Sequence, residues 1–211
     1  MPLSRDRVVV AALALIDAEG LEALTMRRLG RALGVEAMSI YKHAAGKDDV
    51  LDGVAELVMA GVELPAASED WAADLRAIAL SLRDTGLRHP AGFELLVRRL
   101  PVTERSMAPI EATLAALRAG GFDDATTIRL FWALVAYVLG AVLAELGAAA
   151  EAAQGRPVFP GTLTDLATAH PTLSSLGPAL AACDFETEFI WGLNALLSPL
   201  GIDRQIGLAD V

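Results

Sequence analysis

The chain has 211 residues, of which 54% are hydrophobic and 5% aromatic, with one cysteine and a formal net charge of −10. This length and apolar content exclude a disordered protein, because enough surface can be buried to offset the entropy lost on ordering. One cysteine excludes an intrachain disulfide, and the first residues lack a signal-peptide pattern, so we expect a cytoplasmic protein. Between Arg129 and Glu145 about 15 residues are uncharged, whereas roughly 20 are needed to span a bilayer, so we expect no membrane partner.

Charge is unevenly distributed along the chain. Residues 1–47 carry seven Lys and Arg against five Asp and Glu, whereas the remaining residues carry ten against 22. Because DNA interacts with the local charge of the surface that contacts it, the negative total does not exclude DNA binding by the N-terminal part.

Apolar residues recur at three- and four-residue spacing, and alanine and leucine dominate, so the sequence predicts an all-α fold. Ser4 and Thr25 are suitable N-caps, and Gly20 and Gly34 suit helix ends. No segment is typical of a strand. The segment around Pro160 and the one with Pro171 and Pro178 have poor periodicity and are interpreted as irregular. The predicted helices cover residues 4–19, 25–33, 36–43, 48–61, 71–89, 92–100, 104–119, 123–153 and 184–197.

Two short helices joined by the turn at Gly34 predict a helix-turn-helix, whose second helix enters the major groove of DNA. Val35 and Ile40 are expected to face the core. The spacing fits DNA binding and the ordinary packing of two short helices about equally, and the N-terminal excess of basic residues favours DNA binding. Four side chains are expected to face outward towards the bases: Ala37, Met38, Ser39 and Lys42. Five are expected to contact phosphates: Thr25, Arg27, Tyr41, His43 and Lys47.

The segment LTMRRLGRALGVEAMSIYKHAAGKDDVLDGVAELV, with VAALALIDAEGLEALT before it, resembles the DNA-binding domain of the tetracycline-repressor (TetR) family. About the first 60 residues carry the resemblance. It implies an all-α homodimer that binds a palindromic operator until a small ligand enters the C-terminal domain. The expected organisation is a DNA-binding domain over residues 1–47, a connecting helix over residues 48–61, and a ligand-binding and dimerisation domain over residues 62–211.

The C-terminal part resembles the tetracycline repressors more loosely, through HPAG, GGF, LGAVLAEL and FIWGLNALL. Where those repressors hold a magnesium–tetracycline complex with a histidine and a threonine, this chain has Leu96 and Arg99, and the expected glutamate falls near Ala144. We therefore expect a mostly apolar pocket without a metal ion or cofactor. One or two hydrogen bonds would orient the ligand in it. Its predicted residues are Leu82, Leu96, Arg99, Thr113 and Trp132.

Several isolated residues have two interpretations. Arg98 and Arg99 could bind an anion, or could pair with Glu94, Glu104 or the acidic C-terminal part.

Of Trp132 and Tyr137, one could line a cavity and the other a dimer seam, or both could be core residues. His89 is either a ligand contact or a helix-ending residue. His170 has little support as a metal ligand. Cys183 is interpreted as a small hydrophobe rather than a redox sensor.

The chain contains no recognisable catalytic motif, so we do not expect an enzyme. The predicted function is a DNA-binding transcriptional regulator, a repressor released by a small ligand. The alternative is a small-molecule binding protein whose helix-turn-helix no longer binds DNA. The long helix and the last helix are apolar on more than one face, so they are predicted to form a four-helix dimer seam, with Leu193 and Leu197 as its test positions.

Overall fold

The computed structural model of the protein describes residues 2–99, 103–156 and 169–198, and every regular element in these ranges is helical. The predicted all-α fold is confirmed. A short 3₁₀ turn, Leu21–Ala23, follows the first helix. The described α-helices are α1 (Arg5–Glu19), α2 (Met26–Leu33), α3 (Ala37–Ile40), α4 (Lys47–Ala60), α5 (Trp71–Arg88), α6 (Pro90–Arg98), α7 (Glu104–Ala119), α8 (Asp124–Ala153), α9 (Pro171–Ala181) and α10 (Phe185–Leu197).

Two expectations about the helices need correction. The third helix ends at Ile40, and residues 41–43 form a turn rather than more helix. The segment with Pro171 and Pro178 is a helix, α9, although its periodicity is poor. Pro171 occupies the first helical position, where the N–H that proline lacks has no intrahelical partner in any case. The predicted loop around Pro160 lies outside the described residues.

The contacts divide the chain into two compact units, Met1–Ala133 and Leu134–Val211. In the first unit, α4 packs against α1, α6 and α7, and α5 packs against α7. The core there is apolar, and its members come from every helix of the N-terminal part. Its fully buried side chains include Val8, Ile16, Leu29, Ile40, Val50, Val54 and Phe93.

In the second unit, Tyr137 joins α8 to α10. Its hydroxyl donates to the carbonyl oxygen of Phe189 at 2.7 Å, and its ring lies 5.8 Å from the ring of Phe189, measured between centroids. Burial raises the pKa of this phenol. Tyr137 is therefore a packing residue within the protomer, in line with the core interpretation. Leu193 and Leu197 are also buried within the protomer, with 2% and 6% of their surface exposed.

Candidate nucleic-acid interface

The helix-turn-helix is built by local hydrogen bonds that the sequence specifies. The hydroxyl of Thr25 accepts a bond from the backbone N–H of Arg28 at 3.2 Å and caps α2. Gly34 ends α2 in the left-handed conformation, with φ of 69°. The N–H of Val35 then donates to the carbonyl oxygen of Gly30 at 2.9 Å, which closes the turn.

Gly30 allows α2 to approach the start of α3 closely. A Cβ atom at this position would lie 2.9 Å from the carbonyl oxygen of Val35 and 3.2 Å from the backbone nitrogen of Ala37. Both neighbours are backbone atoms, so they cannot move aside as a side chain would. This glycine lies inside a helix, where the residue costs stability relative to alanine. Because glycine is unfavourable inside a helix, its presence in the sequence of α2 indicates that a larger residue does not fit at this position.

The short α3 presents one apolar side chain to solvent and buries another. Met38 is 74% exposed, whereas Ile40 is fully buried. Tyr41, in the turn that follows, is 47% exposed. The other predicted base-facing residues differ in exposure: Lys42 is exposed, and Ala37 and Ser39 are half-buried.

The predicted phosphate contacts include unpaired cations. Arg27 and Lys47 are exposed, as is Lys42, and none of these three makes an ion pair within the part of the chain that the structure describes. Arg28, by contrast, pairs with Glu19. His43 is half-buried, and its N–H donates to the carbonyl oxygen of Ile40. Thr25 retains its hydroxyl proton for donation, because the capping bond uses only its oxygen.

Asp49 fixes the loop that precedes Lys47. Its carboxylate accepts one bond from the Arg5 guanidinium and one from the N–H of Ala45, each at 2.8 Å. These two bonds, the one from Arg5 being the stronger influence, hold the pKa of Asp49 below its ordinary value. They hold the start of α4 to α1, a positioning role that the sequence reasoning did not find.

Arg99 has partners other than those expected from the sequence. Its guanidinium donates to Asp52 at 2.9 Å and to Asp48 at 2.7 Å, both on α4, rather than to Glu94 or Glu104. The bonds to Asp52 and Asp48 raise the pKa of Arg99. The guanidinium predicted to orient a ligand thus already holds two carboxylates.

A second polar link joins α1 to the junction of α5 and α6. His89 Nδ1 lies 2.8 Å from a carboxylate oxygen of Asp17. The two interpretations of His89 from the sequence omitted this partner, because Asp17 is 72 residues away. His89 is the C-cap of α5, as the helix-ending interpretation expects, and it also precedes α6 at its N-cap position.

The predicted ligand-binding residues have varied surroundings. Leu96 is buried and Leu82 half-buried. The hydroxyl of Thr113 donates to the carbonyl oxygen of Pro109 at 2.8 Å, within its own helix. Trp132 is 62% exposed and contacts the ring of Phe131. Within the protomer, Trp132 therefore does not lie in an enclosed cavity.

A cleft of about 560 Å³ lies between α7 and α8. Thr127 on its wall is 4% exposed, and its hydroxyl has no hydrogen-bond partner among the described residues. A buried hydroxyl without a partner costs stability, so a group that bonds to it is favoured there. None of Leu82, Leu96, Thr113 and Trp132 lines this cleft. Its lining residues are Glu111, Leu114, Ala115, Arg118, Asp124, Thr127 and Ile128.

Cys183 and His170 are the remaining single residues with a sequence-based interpretation. Cys183 is an exposed thiol. His170 occupies the N-cap position of α9. Among the described residues, no group of three or more His, Cys, Asp and Glu side chains is arranged to hold a metal ion.

Two family models match the chain over the helices described above. The model of the tetR family of bacterial regulatory proteins matches residues 8–54, and that of the tetracycline repressor-like C-terminal domain matches residues 64–205. The chain belongs to the TetR family. It is a DNA-binding transcriptional regulator and not an enzyme, as predicted.

Three known TetR-family proteins are similar over at least 92% of the chain, and a fourth over 68%. The apo structure of ActR from Streptomyces coelicolor is 32% identical, with a TM-score of 0.79 and 94% of each chain covered. The transcriptional repressor DrrR1 of Streptomyces coeruleorubidus is 32% identical over 95% of this chain and 78% of that protein. The class D tetracycline repressor of Escherichia coli is 31% identical over 92% of this chain and 88% of that protein. A regulator from Saccharopolyspora erythraea is 38% identical, but the match covers 68% of this chain and 61% of that protein.

Replacing Lys47 should reduce the salt dependence of DNA binding. We expect Lys47→Ala to flatten the slope of log affinity against log salt by about one unit, because one phosphate contact with counterion release is lost. Tyr41→Phe should weaken binding to all operators alike with the slope unchanged, because the phenol is uncharged. Fluorescence anisotropy over a salt series measures both. Arg105→Ala is the control, an exposed cation outside residues 25–47, and an equal change of slope in this variant would contradict the assignment.

Removing the Arg99 charge should weaken operator binding, because α4, which begins at Lys47, loses two bonds to the end of α6. Surface ion pairs contribute about 0–1 kcal/mol each, so Arg99→Gln should lower affinity about three- to tenfold. Asp52→Asn should act through the same contact, and the double variant should be less affected than the two single effects combined. The neighbouring exposed Arg98→Gln is the control. Additive effects in this cycle would show that the pair does not act as a unit.

Proposed function

We propose that this TetR-family regulator is a cytoplasmic repressor that binds a palindromic operator as a homodimer and is released by a small, largely apolar ligand without a metal ion. The observation that supports DNA binding is the fixed position of α3, which is held by Gly30 and Ile40 and exposes Met38. The same segment carries three unpaired cations, Arg27, Lys42 and Lys47. The proposed DNA contacts are Thr25, Arg27, Ala37, Met38, Ser39, Tyr41, Lys42, His43 and Lys47.

Two relatives support release by a ligand. ActR has been solved in complex with actinorhodin, in a structure that is 31% identical to this chain with a TM-score of 0.79. The class D relative is a tetracycline repressor. For this chain we propose that the ligand occupies the cleft between α7 and α8, where Leu114, Ala115 and Ile128 offer apolar contacts. The unpartnered hydroxyl of Thr127 is buried in the wall of the cleft, and it would supply one hydrogen bond once a rotation of the side chain exposes it to the ligand.

The dimer is proposed from apolar surface that the protomer leaves uncovered. By length and composition α8 could cross a membrane. Of its most apolar stretch of 18 residues, 17% is buried within the protomer, so most of this stretch is uncovered. On α10, Trp191 is 71% exposed and Ile190 40% exposed. In a TetR-family regulator we assign this surface to a second copy of the chain, because two-fold symmetry pairs the same apolar patch with itself. Trp191 and Ile190 replace Leu193 and Leu197 as the seam positions, since the latter two are buried within the protomer.

The domain organisation stays a proposal. Residues 1–47 would bind DNA, the helix over residues 48–61 would connect the two functions, and residues 62–211 would bind ligand and dimerise. The hydrogen bonds from Arg99 to α4 support the role of the connecting helix, because Lys47, a proposed DNA contact, lies in the first turn of α4. A ligand that binds better to a conformation with wrongly spaced DNA-binding domains would then release the operator.

The test of the proposed function is operator release by candidate ligands. The duplex is the DNA upstream of the protein's own gene, and binding is followed by gel shift with a set of apolar aromatic compounds, with and without a chelator. We expect specific binding, and release that the chelator does not change. Absence of specific binding would favour a small-molecule binding protein with an inactive helix-turn-helix. Release that requires magnesium would exclude the metal-free ligand.

Thr127→Val should weaken the response to a releasing ligand about fivefold, because one net hydrogen bond contributes roughly 1 kcal/mol. Thermal stability should be unchanged or higher, since valine has a similar shape and leaves no hydroxyl unsatisfied. The ligand concentration at half-release and the melting temperature are measured together. Thr126→Val, a neighbouring half-buried threonine that does not line the cleft, is the control and should leave the response unchanged. Equal responses of wild type and Thr127→Val would remove the cleft from the proposal.

Charging the exposed face of α10 should produce a folded monomer. We expect Trp191→Glu to dissociate the dimer at micromolar concentration and to lower operator affinity, because a buried charge without a partner is strongly unfavourable. Leu193→Glu should instead unfold the protein. Sedimentation and circular dichroism distinguish the two outcomes. Val10→Glu, which charges a 54% exposed residue of α1, is the control and should stay dimeric, and a monomeric wild type would contradict the seam.

A further inference from the structure

Met38 is the most exposed large apolar side chain in the part of the chain that the structure describes, at 74%. It lies on α3, the helix proposed to enter the major groove. The position is fixed from two sides, by the close approach at Gly30 and by the buried Ile40 two residues later. Met38 is therefore presented to solvent from a fixed helix rather than from an adaptable loop.

The chemistry of Met38 restricts what it can read. A thioether has no hydrogen to donate and is only a weak acceptor, so it cannot form the bidentate bonds by which arginine reads guanine or glutamine reads adenine. In the major groove, the feature that an apolar side chain recognises is the C5-methyl group of thymine. Half-buried Ala37, the preceding residue, adds a second apolar surface without a donor.

We propose that Met38 is a specificity-determining residue that recognises a thymine in each operator half-site through its C5-methyl group. The inference rests on the proposed function, since it presumes that α3 enters the groove. Base identity at that position is then set by apolar contact, while the unpaired cations of residues 25–47 hold the phosphates. Polar readout of neighbouring bases falls to Ser39 and Lys42.

The proposal is tested without knowledge of the operator. Wild-type protein is used to select duplexes from a random-sequence library. The enriched fragments are resynthesised with deoxyuridine replacing thymidine at one symmetry-related pair of positions at a time. Burial of one methyl group corresponds to about fourfold in affinity. We therefore expect one symmetry-related pair of thymines whose joint replacement weakens binding about fifteenfold.

Variants at Met38 connect the effect to this side chain. Met38→Ala should lose the discrimination between thymine and uracil at that pair, and Met38→Gln should enrich different bases there. Tyr41→Phe is the control, because it removes a proposed phosphate contact and should weaken binding to thymine and uracil duplexes equally. The exposure of Met38 leaves the fold unaffected by these changes, which circular dichroism checks.

The outcomes separate the two proposals. Failure of the wild-type protein to enrich any sequence overturns both the proposed function and this inference. Enrichment of a palindrome with no penalty for uracil supports the proposed function and overturns the inference. The same is true if Met38→Ala keeps the full uracil penalty, because the methyl group would then be recognised by another residue.

Discussion

The packing of α4 against both α1 and α6 is the constraint on which the DNA-binding part depends. Gly92 makes it possible, because a Cβ atom there would lie 2.9 Å from a methyl carbon of Val58 on α4 and 3.2 Å from one of Leu13 on α1. Val58 is 1% exposed, so three helices share this buried contact without room for another methyl group. Any movement of α6 is therefore transmitted to α4 and α1 by steric contact, since close-packed interiors transmit displacement rather than absorb it.

Polar contacts around this core adjust the position of α4 without determining it. The pairs formed by Arg5 with Asp49 and by Arg99 with Asp48 and Asp52 lie on the surface. Pairs of this kind contribute about 0–1 kcal/mol each. Coupling between a ligand and DNA is typically about 1–3 kcal/mol. The two magnitudes are comparable, so a ligand can change these contacts while the apolar core stays intact.

Sequence reasoning was accurate for most local determinants, although it extended α3 beyond Ile40 and missed α9. The caps at Ser4 and Thr25 and the turn at Gly34 depend on neighbouring residues, and the structure has all three. It failed where the partner of a side chain is distant in the sequence, and where two apolar residues of one helix differ in burial. Arg99 finds its partners 47 and 51 residues away, a separation that no periodicity reveals. On α10 both Leu193 and Trp191 are apolar, and the sequence pattern does not indicate that the first is 2% exposed and the second 71% exposed.

The uneven charge of the chain complements this architecture. Residues 1–47 carry a small positive excess, and within it the exposed Arg27, Lys42 and Lys47 have no acidic partner among the described residues. The rest of the chain carries ten basic and 22 acidic side chains. Because like charges repel the phosphate backbone and opposite charges attract it, this distribution favours approach to DNA by the helix-turn-helix alone. The same acidic surface limits nonspecific attraction to DNA, so the proposed contacts of α3 with the bases contribute a larger share of the choice of binding site.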